Sequence, residues 1–123
     1  MALDTARIRT EDVRRQGRAT LQVGGQRVIV FCLDDDFVAY VDTCAHLGGP
    51  VCSQGSLHPF YTARIEEDGR VEPYFAEGGE RILACPWHGW EYDLRTGQAL
   101  ADGTKRLRAA TVAHDSDELI VSL

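Results

Sequence analysis

The sequence lacks any long apolar run, and this sets the first limits on the class of protein. No stretch approaches the roughly 20 apolar residues that a membrane-spanning helix needs. Residues 1–15 are rich in charge and have no apolar centre of a secretory signal. The Arg14-Arg15 pair is not followed by the apolar stretch of a twin-arginine export signal. We therefore expect no membrane partner and a cytoplasmic location.

A surplus of basic residues is also missing. The chain has 13 Lys and Arg against 19 Asp and Glu, a formal net charge of −6, and no Lys/Arg cluster. Nucleic-acid binding favours a basic footprint, so we expect no nucleic-acid partner. The negative charge is compatible with docking on a basic face of a partner protein, and equally with a role in solubility alone.

The length and composition are those of one folded domain. A chain of 123 residues, 44% hydrophobic and 26% charged, fits a single core and disfavours global disorder. Its four cysteines, Cys32, Cys44, Cys52 and Cys85, could in principle form two disulfides. Without an export signal, metal binding or catalysis is the better interpretation of some of them.

Short, β-branched or alternating apolar segments separated by turn residues predict an all-β fold. We expect strands at residues 20–23, 27–33, 37–41, 81–84, 90–94, 107–113 and 118–123. The only predicted helix is a turn or two at residues 10–15, with Thr10 as a candidate cap. Residues 53–80 are more polar, and we interpret them as a hairpin-bearing insertion with its tip at residues 66–69.

Two short segments carry most of the chemical information. Residues 44–50 read C-A-H-L-G-G-P and residues 85–90 read C-P-W-H-G-W. Each contains one thiolate donor and one imidazole donor, which suit zinc, copper or iron–sulfur chemistry rather than calcium or magnesium. Glycine lets a loop pass close to a bulky ligand, and proline stiffens it. Two such loops on a β scaffold could hold one metal centre between them.

A structural Cys₂His₂ zinc site and a [2Fe–2S] cluster are the two alternatives. Paired zinc ligands usually have two to four residues between them, which fits Cys85 and His88. Only one residue separates Cys44 from His46, which is tight for two corners of one tetrahedron. This spacing is more natural if the two ligands of each loop bind different metal ions, as a [2Fe–2S] cluster allows.

The pair of motifs closely resembles the two cluster-binding loops of the Rieske family, in order and in the positions of glycine and proline. The resemblance implies an antiparallel β sandwich with a small cluster-binding subdomain formed by loops 44–50 and 85–90. It also implies one [2Fe–2S] cluster per chain. Cys44 and Cys85 would bind the inner iron, and His46 and His88 the outer, more exposed iron.

Departures from the respiratory members of the family favour its soluble ferredoxin branch. The cysteines of their extra disulfide would fall at Gly49 and Trp87, and their serine near a cluster sulfide at Trp90. Their tyrosine two positions later is present as Tyr92. Loss of the serine donor predicts a potential toward the low end of the Rieske range of roughly −150 to +300 mV.

The resemblance implies an electron-transfer protein rather than an enzyme. Ring-hydroxylating oxygenases carry a further domain with a mononuclear iron, but only His58 and His114 remain here beyond the two predicted ligands. We therefore expect a ferredoxin component that passes single electrons from a flavin-dependent reductase to a terminal oxygenase or similar enzyme. The alternative is a cluster-bearing interaction or redox-sensing subunit of a larger complex.

Three features of the sequence have plainer interpretations. The insertion at about residues 53–80 could shape a docking surface beside the cluster or be a tolerated surface loop. Cys52 matches no ligand of the family and is interpreted as a spectator thiol, while Cys32 is expected in the core. Residues 1–123 are taken as one domain.

Overall fold

The computed structural model describes residues 4–34, 36–43, 49–65, 69, 71–85 and 90–123, and only the backbone of residues 58–65 and 71–81. The described residues are mostly in strands, which confirms the predicted all-β class. The strands are β1 (Thr5–Arg9), β2 (Arg18–Val23), β3 (Gln26–Leu33), β4 (Asp36–Val41), β5 (Ser56–Ile65), β6 (Val71–Ala84), β7 (Glu91–Asp93), β8 (Ala109–Asp115) and β9 (Glu118–Ser122). Two short helices are α1 (Thr10–Gln16) and α2 (Val51–Gln54).

The larger sheet has six strands in the order β1-β9-β8-β4-β3-β2, and each neighbouring pair is antiparallel. Its edge strands β1 and β2 lie near each other, so the sheet is nearly closed. The β2–β3 hairpin turns at Gly24 and Gly25, both with positive φ. Glycine enters this region without the steric penalty of a Cβ, which explains the Gly-Gly turn.

Strand β3 is buried on both faces, which explains its uninterrupted apolar sequence. Val28 and Val30 pack into a core inside the larger sheet, with Val13 of α1 and Leu119 and Val121 of β9. The alternate residues of β3 pack into a second core, between the larger sheet, α2 and the smaller sheet. Its buried members are Ile29, Phe31, Leu33, Tyr40, Val51, Cys52, Leu83, Cys85, Tyr92, Leu94, Ala99 and Leu107.

The smaller sheet has three antiparallel strands in the order β5-β6-β7. The β5–β6 ladder is irregular on both sides of Pro59, where a residue without an N–H cannot complete the pairing. The segment interpreted as an insertion contains β5 and most of β6, and β6 continues through the strand predicted at residues 81–84. The predicted hairpin tip lies outside the described residues except for Gly69.

Two elements were not predicted, and one cap was predicted wrongly. Strand β1 pairs with β9, although its alternation of short apolar and charged residues is a weak signal. Helix α2 has one turn, too short to show a helical period. The helix predicted at residues 10–15 is present, but Thr10 is its first residue rather than its cap. Within the described ranges, no helix has the length and apolar character needed to cross a membrane.

Candidate metal centre

The second predicted loop starts at a buried cysteine and is closed at its base. Cys85 follows β6 directly and is only 4% exposed. Its backbone N–H donates a 2.7 Å hydrogen bond to the carbonyl oxygen of Trp90. Trp90 is half-buried and packs against the core that contains Cys85. The six-residue span 85–90 is therefore fixed at both ends.

The first predicted loop leaves the end of β4 and returns into α2, and the side chain of Asp42 joins these two points. Asp42 Oδ1 accepts hydrogen bonds from the backbone N–H groups of Cys52, at 2.8 Å, and Ser53, at 2.9 Å. Its Oδ2 accepts a 2.5 Å hydrogen bond from Ser53 Oγ. The end of β4 and the start of α2, on either side of the first motif, therefore contact each other.

Arg27 compensates the buried charge of Asp42. The Asp42 side chain has no exposed surface, and its Oδ2 lies 3.1 Å from Arg27 Nε. The Asp42 N–H also donates to the Arg27 carbonyl oxygen at 2.9 Å, which continues the β3–β4 ladder by one residue. A buried carboxylate is tolerated only when it is paired and hydrogen-bonded, and both conditions are met here.

Cys52 of α2 is held by its backbone and its thiol. Arg18 Nη1 donates a 2.9 Å hydrogen bond to the Cys52 carbonyl oxygen, and the guanidinium lies 6.0 Å from the centre of the Phe31 ring. The Cys52 thiol lies 3.7 Å from the Val41 carbonyl oxygen and is fully buried. These contacts fix α2 against the larger sheet.

The base of the second loop lies in the smaller sheet, beside the segment that follows α2. Ala84, the residue before Cys85, pairs with Ser56 on one side and with Glu91 on the other. Gly55 sits at the end of α2, and a Cβ built there would lie 2.2 Å from the Val51 carbonyl oxygen of α2 and 2.6 Å from the Ala84 carbonyl oxygen of β6. Only glycine allows this approach, so α2 and the strand leading to Cys85 are in direct backbone contact.

Two tyrosines support the segment that leaves the second loop. Tyr92 of β7 is fully buried in the core that contains Cys85. Tyr40 of β4 is also buried, and its hydroxyl donates to the carbonyl oxygen of Leu94. Burial, followed by the negative charge of Asp93, raises the pKa of Tyr40 to about 12. The phenol is therefore neutral near pH 7 and remains a hydrogen-bond donor.

Of the four ligands predicted from sequence, the structure describes Cys85. Cys44, His46 and His88 lie outside the described residues. Among the residues that the structure does describe, there is no group of three or more His, Cys, Asp or Glu side chains that could hold a metal ion. A buried Cys85 thiol, in the same core as the helix that follows the first motif, fits a centre that takes one of its thiolate donors from the second motif.

Sequence reasoning missed two residues that shape this region, Asp42 and Gly55. Asp42 stands two positions before the first motif and resembles any polar residue at the end of a strand. Gly55 follows a polar pair and resembles an ordinary turn glycine. A carboxylate next to a predicted metal loop was the available signal, but its partners become visible only in three dimensions.

The described residues form an antiparallel β domain in which Cys85, buried at the end of β6, shares a core with the helix that follows the first motif. The model of the Rieske [2Fe-2S] domain family matches residues 5–110. The chain therefore belongs to this family, which confirms the resemblance of the two motifs. The family is characterised by a [2Fe–2S] cluster.

Two curated relatives are similar over part of their length. A human Rieske domain-containing protein is 28% identical over 92 residues, which are 75% of this chain and 47% of that protein. The ferredoxin component of the p-cumate 2,3-dioxygenase system of Pseudomonas putida is 29% identical over 77 residues, 63% of this chain and 48% of that protein. The matches thus span about half the length of these relatives.

Solved structures share the fold. The ferredoxin of carbazole 1,9a-dioxygenase from Nocardioides aromaticivorans IC177 has a TM-score of 0.69 and 21% identity, with 97% of each chain covered. The terminal oxygenase of carbazole 1,9a-dioxygenase from Novosphingobium sp. KA1 has a TM-score of 0.70 and 15% identity, with 98% of this chain but 30% of that chain covered. At these identities, the comparison supports the fold alone.

Proposed function

We propose that the protein transfers single electrons by one [2Fe–2S] cluster, held by Cys44, His46, Cys85 and His88. The observation that carries the proposal is the burial of Cys85 at the start of the second motif, in the same core as Val51 and Cys52 of α2, the helix that follows the first motif. Two cysteines and two histidines from paired loops are the donor set of a Rieske centre. Bound there, the cluster supplies a one-electron couple.

The described residues around the site would hold the centre in place and limit its contact with water. Burial of Cys85 in an apolar core keeps solvent from the inner side of the site. Trp90 packs on the same core, and its position offers an indole where a serine would add a hydrogen-bond donor near the cluster. Fewer donors to the cluster sulfurs support a potential in the lower part of the Rieske range.

We propose the role of a ferredoxin component rather than that of an enzyme. One relative is the ferredoxin component of a dioxygenase system, and one similar structure is a ferredoxin covered at 97%. Another similar structure is a complex of reduced oxygenase and oxidised ferredoxin. By this likeness, the partners would be a flavin-dependent reductase and a terminal oxygenase. The docking face would be small and short-lived, as is usual for redox encounters.

Electron paramagnetic resonance of the dithionite-reduced protein tests the proposal, with iron, zinc and acid-labile sulfide counted on the same sample. A rhombic signal with an average g below the free-electron value, and two irons and two sulfides per chain, is the expected result. Zinc without sulfide, and no signal, would refute the proposal and favour a structural metal site.

A second experiment tests whether the protein carries electrons from a reductase. The oxidised protein is mixed with an NAD(P)H-dependent flavin reductase, and the visible spectrum is followed in stopped flow. Reduction within the turnover time of the reductase is expected of a carrier. A protein that is purified as a stable stoichiometric complex, and that the reductase does not reduce, would instead be a fixed subunit. Cell fractionation tests the cytoplasmic location, which remains a prediction.

A further inference from the structure

We propose that Asp42 is a positioning residue for the metal centre, which sets the first cluster-binding loop relative to the second by acting through α2. The inference rests on the proposed function, because it takes Cys44, His46, Cys85 and His88 as the ligands. Asp42 would not touch the cluster. Its carboxylate would determine where the loop that carries Cys44 and His46 begins and ends.

The contacts of the carboxylate make it a rigid joint. Both oxygens are engaged, with Cys52 N and Ser53 N on Oδ1 and with Ser53 Oγ and Arg27 Nε on Oδ2. The first N–H groups of a helix have no partners inside the helix, and Asp42 accepts hydrogen bonds from two of them in α2, those of Cys52 and Ser53. Charge-assisted hydrogen bonds are stronger than neutral ones, so this joint resists rotation of α2.

The position of α2 also determines the spacing between the two loops. The helix ends at Gly55, whose backbone lies against the carbonyl oxygen of Ala84. Ala84 directly precedes Cys85, which is one of the proposed ligands. A continuous set of contacts therefore runs from Asp42 through α2 and Gly55 to the base of the second loop. A rotation of α2 would change the relative placement of donors from the two loops.

Three variants separate positioning from general stability. Asp42→Ala removes all four contacts of the carboxylate. Asp42→Asn keeps the shape and an oxygen at Oδ1, which still accepts from Cys52 and Ser53, but its amide group in place of Oδ2 cannot accept from Arg27. Val121→Ala is the matched control, because it truncates a fully buried side chain in the other core, inside the larger sheet. Each cluster-loaded variant is measured for thermal unfolding, reduction potential, g-values and the rate of iron release to a chelator.

We expect Asp42→Ala to release iron about tenfold faster than the wild type, the lower end of the effect of losing a group bonded directly to a metal ligand, because Asp42 acts one contact further from the ligands. Its g-values and potential should shift, and Asp42→Asn should lie between Asp42→Ala and the wild type, because it keeps the hydrogen bonds from Cys52 and Ser53 but loses the charge and the pair with Arg27. Val121→Ala should unfold at a lower temperature with unchanged g-values and potential. Its iron release should also be unchanged below its unfolding transition.

The inference would be overturned if Asp42→Ala released iron at the wild-type rate and kept the wild-type g-values and potential. Equal acceleration of iron release in Val121→Ala would overturn it as well, because the effect would then follow stability. If Asp42→Ala fails to fold, Ser53→Ala takes its place, since it removes one hydrogen bond and should still release iron faster than Val121→Ala. Absence of the rhombic signal in the wild type would instead refute the proposed function.

Discussion

The hydroxyl of Tyr40 donates a 2.5 Å hydrogen bond to the backbone carbonyl oxygen of Leu94. Tyr40 lies on β4 of the larger sheet, and Leu94 follows β7 of the smaller sheet. The same ring borders Gly97, where an added Cβ would lie 3.0 Å from Tyr40 Cε1. One side chain therefore connects the sheet that leads into the first loop with the segment that leaves the second loop.

Replacement of Tyr40 by Phe should destabilise the protein without emptying the metal site. The Leu94 carbonyl would lose the Tyr40 donor in a buried environment, which typically costs about 1–3 kcal/mol. Denaturant titration of the cluster-loaded protein at pH 7 measures the change in the free energy of unfolding, with the iron content determined in parallel. A loss below about 0.5 kcal/mol, the range of an ordinary surface substitution, would contradict this expectation.

The raised pKa of Tyr40 predicts a loss of stability in alkaline solution. The phenol has a pKa near 10 in an unfolded chain and about 12 in the folded protein, so the unfolded chain releases its proton first as pH rises. The stability that depends on the neutral phenol is complete below about pH 10 and is lost progressively between about pH 10 and 12. Unfolding free energies measured across this window should fall more steeply for the wild type than for Tyr40→Phe. Parallel curves would refute the assignment to Tyr40.

Replacement of Gly55 by Ala should disturb the packing of α2 against β6. Its Cβ would lie 2.2 Å from the Val51 carbonyl oxygen and 2.6 Å from the Ala84 carbonyl oxygen, so α2, β6 or both would have to move. Such overpacking typically costs about 1–3 kcal/mol, and we also expect faster iron release. Gly103→Ala is the matched control, because a Cβ there meets no heavy atom within 4 Å. Its stability should stay within about 0.5 kcal/mol of the wild type. Equal effects of the two substitutions would show that the close packing of Gly55 against α2 and β6 is unimportant.

The core strands were predictable from the sequence because buried strands consist of consecutive or alternating apolar residues. In β3, the run from Val28 to Leu33 contains the apolar residues of both cores, and the prediction of residues 27–33 differs from the observed strand by one residue. In β1, Ala6 and Ile8 contribute only half-buried side chains between exposed neighbours, and the strand is defined by its pairing with β9. Local pattern carries little information about such an edge strand.

In the site, the candidate ligands were predictable from the sequence, but the residues that support them were not. The ligand motifs could be recognised in the sequence because they combine cysteine, histidine, glycine and proline at fixed spacings. Asp42 and Gly55 act through partners that are distant in sequence or belong to the backbone, such as Arg27 and the Ala84 carbonyl. Contacts of this kind cannot be predicted from the residues that are adjacent in the sequence. The sequence therefore predicted candidate ligands but not the residues that hold their loops.

The buried cysteines Cys52 and Cys85 should respond differently to removal of the thiol. Both belong to the same core and are at most 4% exposed, so burial does not distinguish them. Cys85 opens the second loop, whereas the Cys52 thiol lies 3.7 Å from the Val41 carbonyl and its backbone is held by Asp42 and Arg18. We expect Cys85→Ala to be purified with less than about a tenth of the wild-type iron, since it would lack a ligand. Cys52→Ala should retain the wild-type iron content and g-values, because its backbone hydrogen bonds are unchanged. Iron and sulfide analysis of both variants, prepared side by side, makes the comparison. A full cluster in Cys85→Ala, or its loss from a folded Cys52→Ala, would mean that the ligand set includes a different cysteine.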